Sequence, residues 1–263
     1  MESLNSVYQG FRRFVDDFAN TSTSSFLLSP EKKENLNAWY AEWDDNYIGD
    51  IFNNALMKKT LRKIADTYYG DQLDTILEEA TELSPDSYPM LSSIYLHCCD
   101  TLGMYIKPKA YITGRMKGIN ALSLDVKRKQ IILISPMVAI KLMSEEQAFL
   151  LGHEIGHHQQ GNLVCHTVNG LVGNVNNASD ILGPLLLSTI EVPLKRWCRC
   201  SEFNADRAGY LCCRNEEAIK QLFNKLGMSS CKSAYADFKE IGDAHPLLQT
   251  RWNMINNYIL KTL

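Results

Sequence analysis

His153 and His157 stand four residues apart in the segment SEEQAFLLGHEIGHHQQ, residues 144–160, with Glu154 directly after the first of them. In a helix, residues four apart lie one above the other, so both imidazoles share a face and can share a metal ion. Glu154 then sits about 100° further round the helix and flanks the ion. Two nitrogen ligands beside a free carboxylate suit hydrolysis by metal-activated water: the ion acidifies the water and the carboxylate takes its proton. The pattern H-E-x-x-H arises by chance in roughly one chain in a hundred of this size, so its surroundings have to decide.

Those surroundings favour the metal. Ser144 and Gln147 make a capping-box pattern and Gly161 supplies a C-terminal stop, so the segment reads as a delimited helix. Ala148, Phe149, Leu150 and Leu151 carry it into the interior. Gly152 and Gly156 each cost about 1 kcal/mol of helix propensity with no turn to justify them, and small residues there let another segment approach the metal face.

A catalytic zinc takes three protein ligands and keeps a position open. In SEFNADRAGY, Glu202 and Asp206 are four apart on a predicted helix capped by Ser201, so their carboxylates share a face. Glu202 is the third ligand in this reading, and Asp206 accepts the N–H of a ligating histidine and fixes its tautomer. Glu191 is the alternative ligand, disfavoured because Pro193 interrupts a helix around it. His97, His158 and His166 are given no role.

The elements that must position these residues follow from periodicity. Leu4, Tyr8, Phe11 and Val15 mark a first amphipathic helix over 1–20, and 36–84 reads as helix broken at Gly49 and Gly70. A further helix ends near Gly103. KAYITG, INALSLDV and QIILISP are β-branched and separated by turn residues, so they read as three strands, the last two a hairpin. The chain is then helical to its end. The expected fold is α+β and mostly helical, with a helical region over 1–103 and a catalytic core over 104–263 in which a small antiparallel sheet packs on the zinc helix.

Composition sets outer limits. With a net charge of −3 and a pI near 6.1, the chain offers no electrostatic case for nucleic acid or an anionic membrane. No stretch reaches the roughly 18 apolar residues of a bilayer span; ILGPLLLSTIEVPL, 181–194, comes closest and reads as a core or interfacial segment. The N-terminus lacks the apolar core of a secretory signal. The eight cysteines, in CC and CxC groupings, read as buried reduced thiols of a cytoplasmic protein.

Three blocks carry a resemblance: NALSLDVKRKQIILISPMVAIKLMSEEQAFLLGHEIGH from residue 120, SEFNADRAG from 201 and AHPLLQTR from 244. Over residues 105–255 the chain resembles the HtpX and CAAX-prenyl-protease family of zinc metallopeptidases. The resemblance implies a zincin-like core, one zinc ion per chain, a polypeptide substrate, and a hairpin running into the zinc helix. It also implies that His245 and Arg251 approach the active site. His245 is then a candidate oxyanion donor or a helix cap, and Arg251 can instead neutralise buried carboxylates. Residues 118–122 become the edge strand of the cleft, where Asn120 and Ala121 let an extended substrate pair as an added strand. Members embedded in the membrane carry spans around this core, whereas residues 162–180 here are too polar for one. The implied activity is therefore that of a soluble zinc endopeptidase with Glu154 as general base. The alternatives are a catalytically silent, metal-stabilised interaction module, or a latent protease covered by its N-terminal helices.

Overall fold

The computed structural model describes residues 55–161, 163–172, 179–228 and 246–262. The expected first helix, the segment 36–54, Cys231 and His245 lie outside them. In chain order the described elements are α1 (Ala55–Glu79), β1 (Thr81–Glu82), α2 (Pro89–Thr101), β2 (Lys109–Ile112), β3 (Ala121–Val126), β4 (Lys129–Ile134), α3 (Pro136–Lys141), α4 (Ser144–Gln159), α5 (Leu163–Val172), α6 (Ser179–Cys213), α7 (Glu216–Lys225) and α8 (Leu248–Thr262). This is the mostly helical α+β arrangement expected, with one four-stranded sheet.

The sheet differs in one respect. Its strand order is β1-β2-β4-β3, and β2 runs parallel to β4, so the sheet is mixed and not wholly antiparallel. Four consecutive apolar residues explain why β4 takes the inner position. Ile131, Ile132, Leu133 and Ile134 are all buried, which requires cover on both faces of the strand. The hairpin with β3 then puts β3 at the edge. Its two turn residues, Lys127 and Arg128, both have positive φ, the signature of a type I′ turn. Helix α1 pins that turn, since Lys127 donates its backbone N–H to Asp66 (2.5 Å) and its ammonium to Asp74 (2.7 Å). Gly70 therefore does not break α1. It lets Lys127 lie across the helix, where a Cβ would come within 2.5 Å of Lys127 Cε.

The core forms around α4. Leu91, Ile94, Tyr95, Cys98, Cys99 and Leu102 give α2 a buried stripe at three- and four-residue spacing, and this packs with Phe149, Leu151 and Ile155 of α4 and Leu222 and Phe223 of α7. Helix α4 is buried on almost every side. Its start lies one residue earlier than the capping-box reading has it. Met143 is the N-cap and its N–H bonds the Glu146 carboxylate at 2.7 Å, while Gln147 instead donates to the carbonyls of Val138 and Leu142. Gly161 ends the segment with φ +77, as expected.

Helix α6 also departs from expectation. It is continuous through Pro184 and Pro193, so Ser201 is an interior residue and not a cap. One proline removes one hydrogen bond, and the rest of a 35-residue ladder persists around it. Among the described residues no helix is long and apolar enough to cross a membrane.

Candidate active site

Helices α4 and α6 cross at contact distance because their facing residues are small. A Cβ on Gly156 would lie 2.8 Å from Ala208 Cβ, and one on Gly152 would lie 2.7 Å from Cys212 Sγ. Gly209 faces Phe149 in the same way, its virtual Cβ 2.6 Å from the Phe149 carbonyl oxygen. This close approach brings Glu202 of α6 onto the histidine face of α4. Of the two glutamates weighed as third ligand, Glu191 is about 16 Å further up the same helix at 1.5 Å per residue, too far to join it.

His153 Nε2 lies 3.1 Å from His157 Nε2. Glu202 presents one oxygen 3.6 Å from His153 Nε2 and the other 3.4 Å from His157 Nε2. Among the described residues these three side chains form the group able to hold a metal ion, and all three are buried. Ligands in a tetrahedral zinc site with bonds of about 2.0–2.1 Å lie about 3.3 Å apart, so the donor set and its spacing fit zinc.

Asp206 and Arg251 back this cluster as a pair. Asp206 Oδ1 lies 3.0 Å from His153 Nδ1. Arg251 of α8 reaches both Asp206 oxygens, at 2.5 and 2.9 Å, and Glu202 at 3.2 Å, and its guanidinium lies over the Phe223 ring. Burial pushes the Asp206 carboxyl up, but the charge and hydrogen bonds of Arg251, with those of His153, outweigh it and hold Asp206 below the usual carboxylate range. An ionised carboxylate only accepts, so His153 Nδ1 donates and its Nε2 lone pair faces the cluster. Arg251 Nη2 is also 3.3 Å from His153 Nδ1, but two donors cannot bond each other, and its hydrogen goes to Asp206.

Glu154 is held from the strand side. Ser123 Oγ lies 2.7 Å from Glu154 Oε2 and 3.0 Å from its backbone oxygen. No motif points to Ser123, because the contact spans 31 residues and depends on how β3 packs on α4. His166, expected to be idle, lines the cleft. Its ring centroid is 4.1 Å from that of His157 and its Nε2 is 2.7 Å from Ser201 Oγ. His158 and His97 do not line it. Burial, with the neighbouring His157, pushes His158 down to about 3, so it is uncharged at neutral pH.

The cluster opens into a cleft of about 260 Å3. Its lining combines polar residues, Glu154 and His166 with His153, His157 and Glu202, and apolar ones, among them Leu122, Leu150, Leu222, Phe223 and Leu226. Strand β3 is one wall, and its pairing settles which backbone groups face the cleft. Asn120 turns its N–H and C=O toward Ser135, whereas Asp125 turns its N–H outward to Thr167. Residues in a strand alternate, so Ala121 and Ser123 turn their main-chain groups outward and Asn120 does not. Helix α5 covers the Asp125 end.

A family model described as Peptidase family M48 matches residues 86–259, beginning before the resembling blocks and including α2. No curated protein and no solved structure matches the chain.

Proposed function

Because the chain belongs to Peptidase family M48 and carries an intact His-His-Glu metal site, we propose that this metallopeptidase is a zinc endopeptidase with Glu154 as its general base. His153, His157 and Glu202 hold the ion, one per chain. When bound, zinc polarises the scissile carbonyl and lowers the pKa of water toward about 7. Glu154 accepts a proton from the attacking water and delivers it to the leaving amine nitrogen as the C–N bond breaks. Ser123 keeps the carboxylate pointed at that water. Arg251 and Asp206 hold His153 and Glu202 in place, and His245 is the candidate donor to the developing oxyanion.

The substrate lies extended along β3, pairing with the outward main-chain groups of Ala121 and Ser123, and places an apolar side chain between Leu122, Leu222 and Leu226. By the same proposal residues 1–103, read from the sequence as helical, support the core of 104–263 or cover its cleft in a latent form; of these, α1, β1 and α2 pack against that core. A cytoplasmic setting is supported by the cysteines: the seven described are free, six of them buried and Cys200 half-buried.

The observation that carries this reading is the position of Glu154. It belongs to no ligand set, yet it lines the same cleft as the three ligands and has a dedicated partner in Ser123. A silent structural metal site has no use for such a group. Glu154→Gln should retain about one zinc per chain by elemental analysis while peptide hydrolysis falls by about 10² to 10⁴. Activity near wild type in a zinc-loaded variant would remove Glu154 from the mechanism.

A further inference from the structure

We propose that Ser201 is the positioning residue for His157: it sets the tautomer that leaves Nε2 free for the metal, by a hydrogen-bond chain anchored on its own backbone carbonyl. This rests on the reading of His153, His157 and Glu202 as the metal site.

One group in this hydrogen-bond chain has no choice of role. The Ser201 carbonyl oxygen only accepts, and it faces the side-chain amide of Gln160 at 3.2 Å, so that end of Gln160 is its NH2. The other end is therefore Oε1, which only accepts, and it lies 2.6 Å from Ser201 Oγ. The single hydroxyl proton of Ser201 is thus committed to Gln160. Two imidazole nitrogens remain on that hydroxyl, His166 Nε2 at 2.7 Å and His157 Nδ1 at 3.4 Å. With its proton used, the oxygen offers them only lone pairs, so both must donate. His157 therefore carries its hydrogen on Nδ1, and its Nε2 lone pair faces the metal cluster.

The hydroxyl is then fully satisfied, with one bond donated and two accepted, at a residue buried to within 2%. His153 reaches the same tautomer through the Asp206 carboxylate, so two unlike groups aim two lone pairs at one point. Gln160, at the end of α4, touches neither ligand and still decides which way the proton of Ser201 points.

The test uses the full-length chain in metal-free form, with Zn2+ titrated against a chromophoric chelator. Ser201→Ala should weaken zinc binding by about 10- to 100-fold, the range for losing a partner of a metal-bound histidine. Gln160→Leu should weaken it by a smaller factor, since the freed hydroxyl proton can turn toward His157 and favour the wrong tautomer. The double variant should bind no worse than Ser201→Ala, because both act through one bond. In metal-free wild type, 15N shifts of labelled histidine should show His157 protonated on Nδ1, and Gln160→Leu should shift that population toward Nε2. A folded Ser201→Ala chain with zinc affinity within about twofold of wild type would overturn the proposal, as would additive losses or a tautomer unchanged by Gln160→Leu. Should wild type bind no zinc, the metal reading fails, and the tautomer measurement still decides the role of Ser201.

Discussion

The two sides of the cleft hold equivalent groups with different chemistry. On the α6–α8 side, His153 and Glu202 rest against Asp206 and Arg251, a buried ion pair within hydrogen-bond distance of both. On the β3–α5 side, Glu154 rests against the hydroxyl of Ser123. On α6 itself, one residue before Glu202, the hydroxyl of Ser201 directs His157 and is shared with His166 of α5. The difference follows from what each side must do. Charge-assisted bonds from Asp206 and Arg251 lock His153 and Glu202 in place, whereas a single neutral hydroxyl donor orients Glu154. The charged pair bonds His153 and Glu202 directly, while Glu154 feels the Arg251 charge across the cleft and takes its hydrogen bond from Ser123.

That contrast is open to attack at three points. The largest effect is expected on the charged side. Arg251→Met leaves Asp206 and Glu202 buried without their cation, and removing one partner of a buried pair costs about 3–5 kcal/mol. Urea unfolding of the metal-free chain measures it, and a loss below about 1 kcal/mol, the scale of an exposed pair, would mean that the ion pair does not hold this side together. On the hydroxyl side the losses should be smaller and fall more on rate. Ser123→Ala removes one hydrogen bond to a carboxylate, worth about 1.5–3 kcal/mol, and peptide cleavage should drop about 10- to 100-fold with zinc content unchanged. Unchanged cleavage would show that Glu154 needs no orienting partner.

The smallest expected effect sits at the edge strand. Ala121→Pro removes one outward N–H, and cleavage should fall at least tenfold, about 1.4 kcal/mol. A folded variant that cleaves normally would place the substrate elsewhere. The register sharpens the point: Asn120→Ala, which keeps the main-chain bonds to Ser135, should cleave as wild type does.

Local spacing pointed to the residues that form the group able to hold a metal ion. His153 and His157 at i and i+4, and Glu202 and Asp206 at the same interval, each share a helix face whatever else the chain does. The two glycines that mark α4 were legible as well, since a helix tolerates Gly152 and Gly156 only where something packs close. Chain-local pattern also located three of the four strands and the helix ends at Gly103 and Gly161. It misread α6, because proline and serine carry strong local preferences that a long helix overrides, and it misread α1 at Gly70 for want of the distant Lys127.

Tertiary structure decided the rest, because those contacts join residues whose separation in the chain bears no period. Ser123 meets Glu154 across 31 residues, Ser201 meets His157 across 44, and Arg251 meets Asp206 across 45. Nothing in a serine's neighbours says that its hydroxyl will orient a base or a ligand. Strand order had to be known before Ala121 and Ser123 could be told from Asn120, since a strand shows its backbone groups to alternate sides and only its partner determines which side stays open. The sequence determined which atoms can bind a metal; the packing of α4 against α6, β3 and α8 decided which way their protons and lone pairs point.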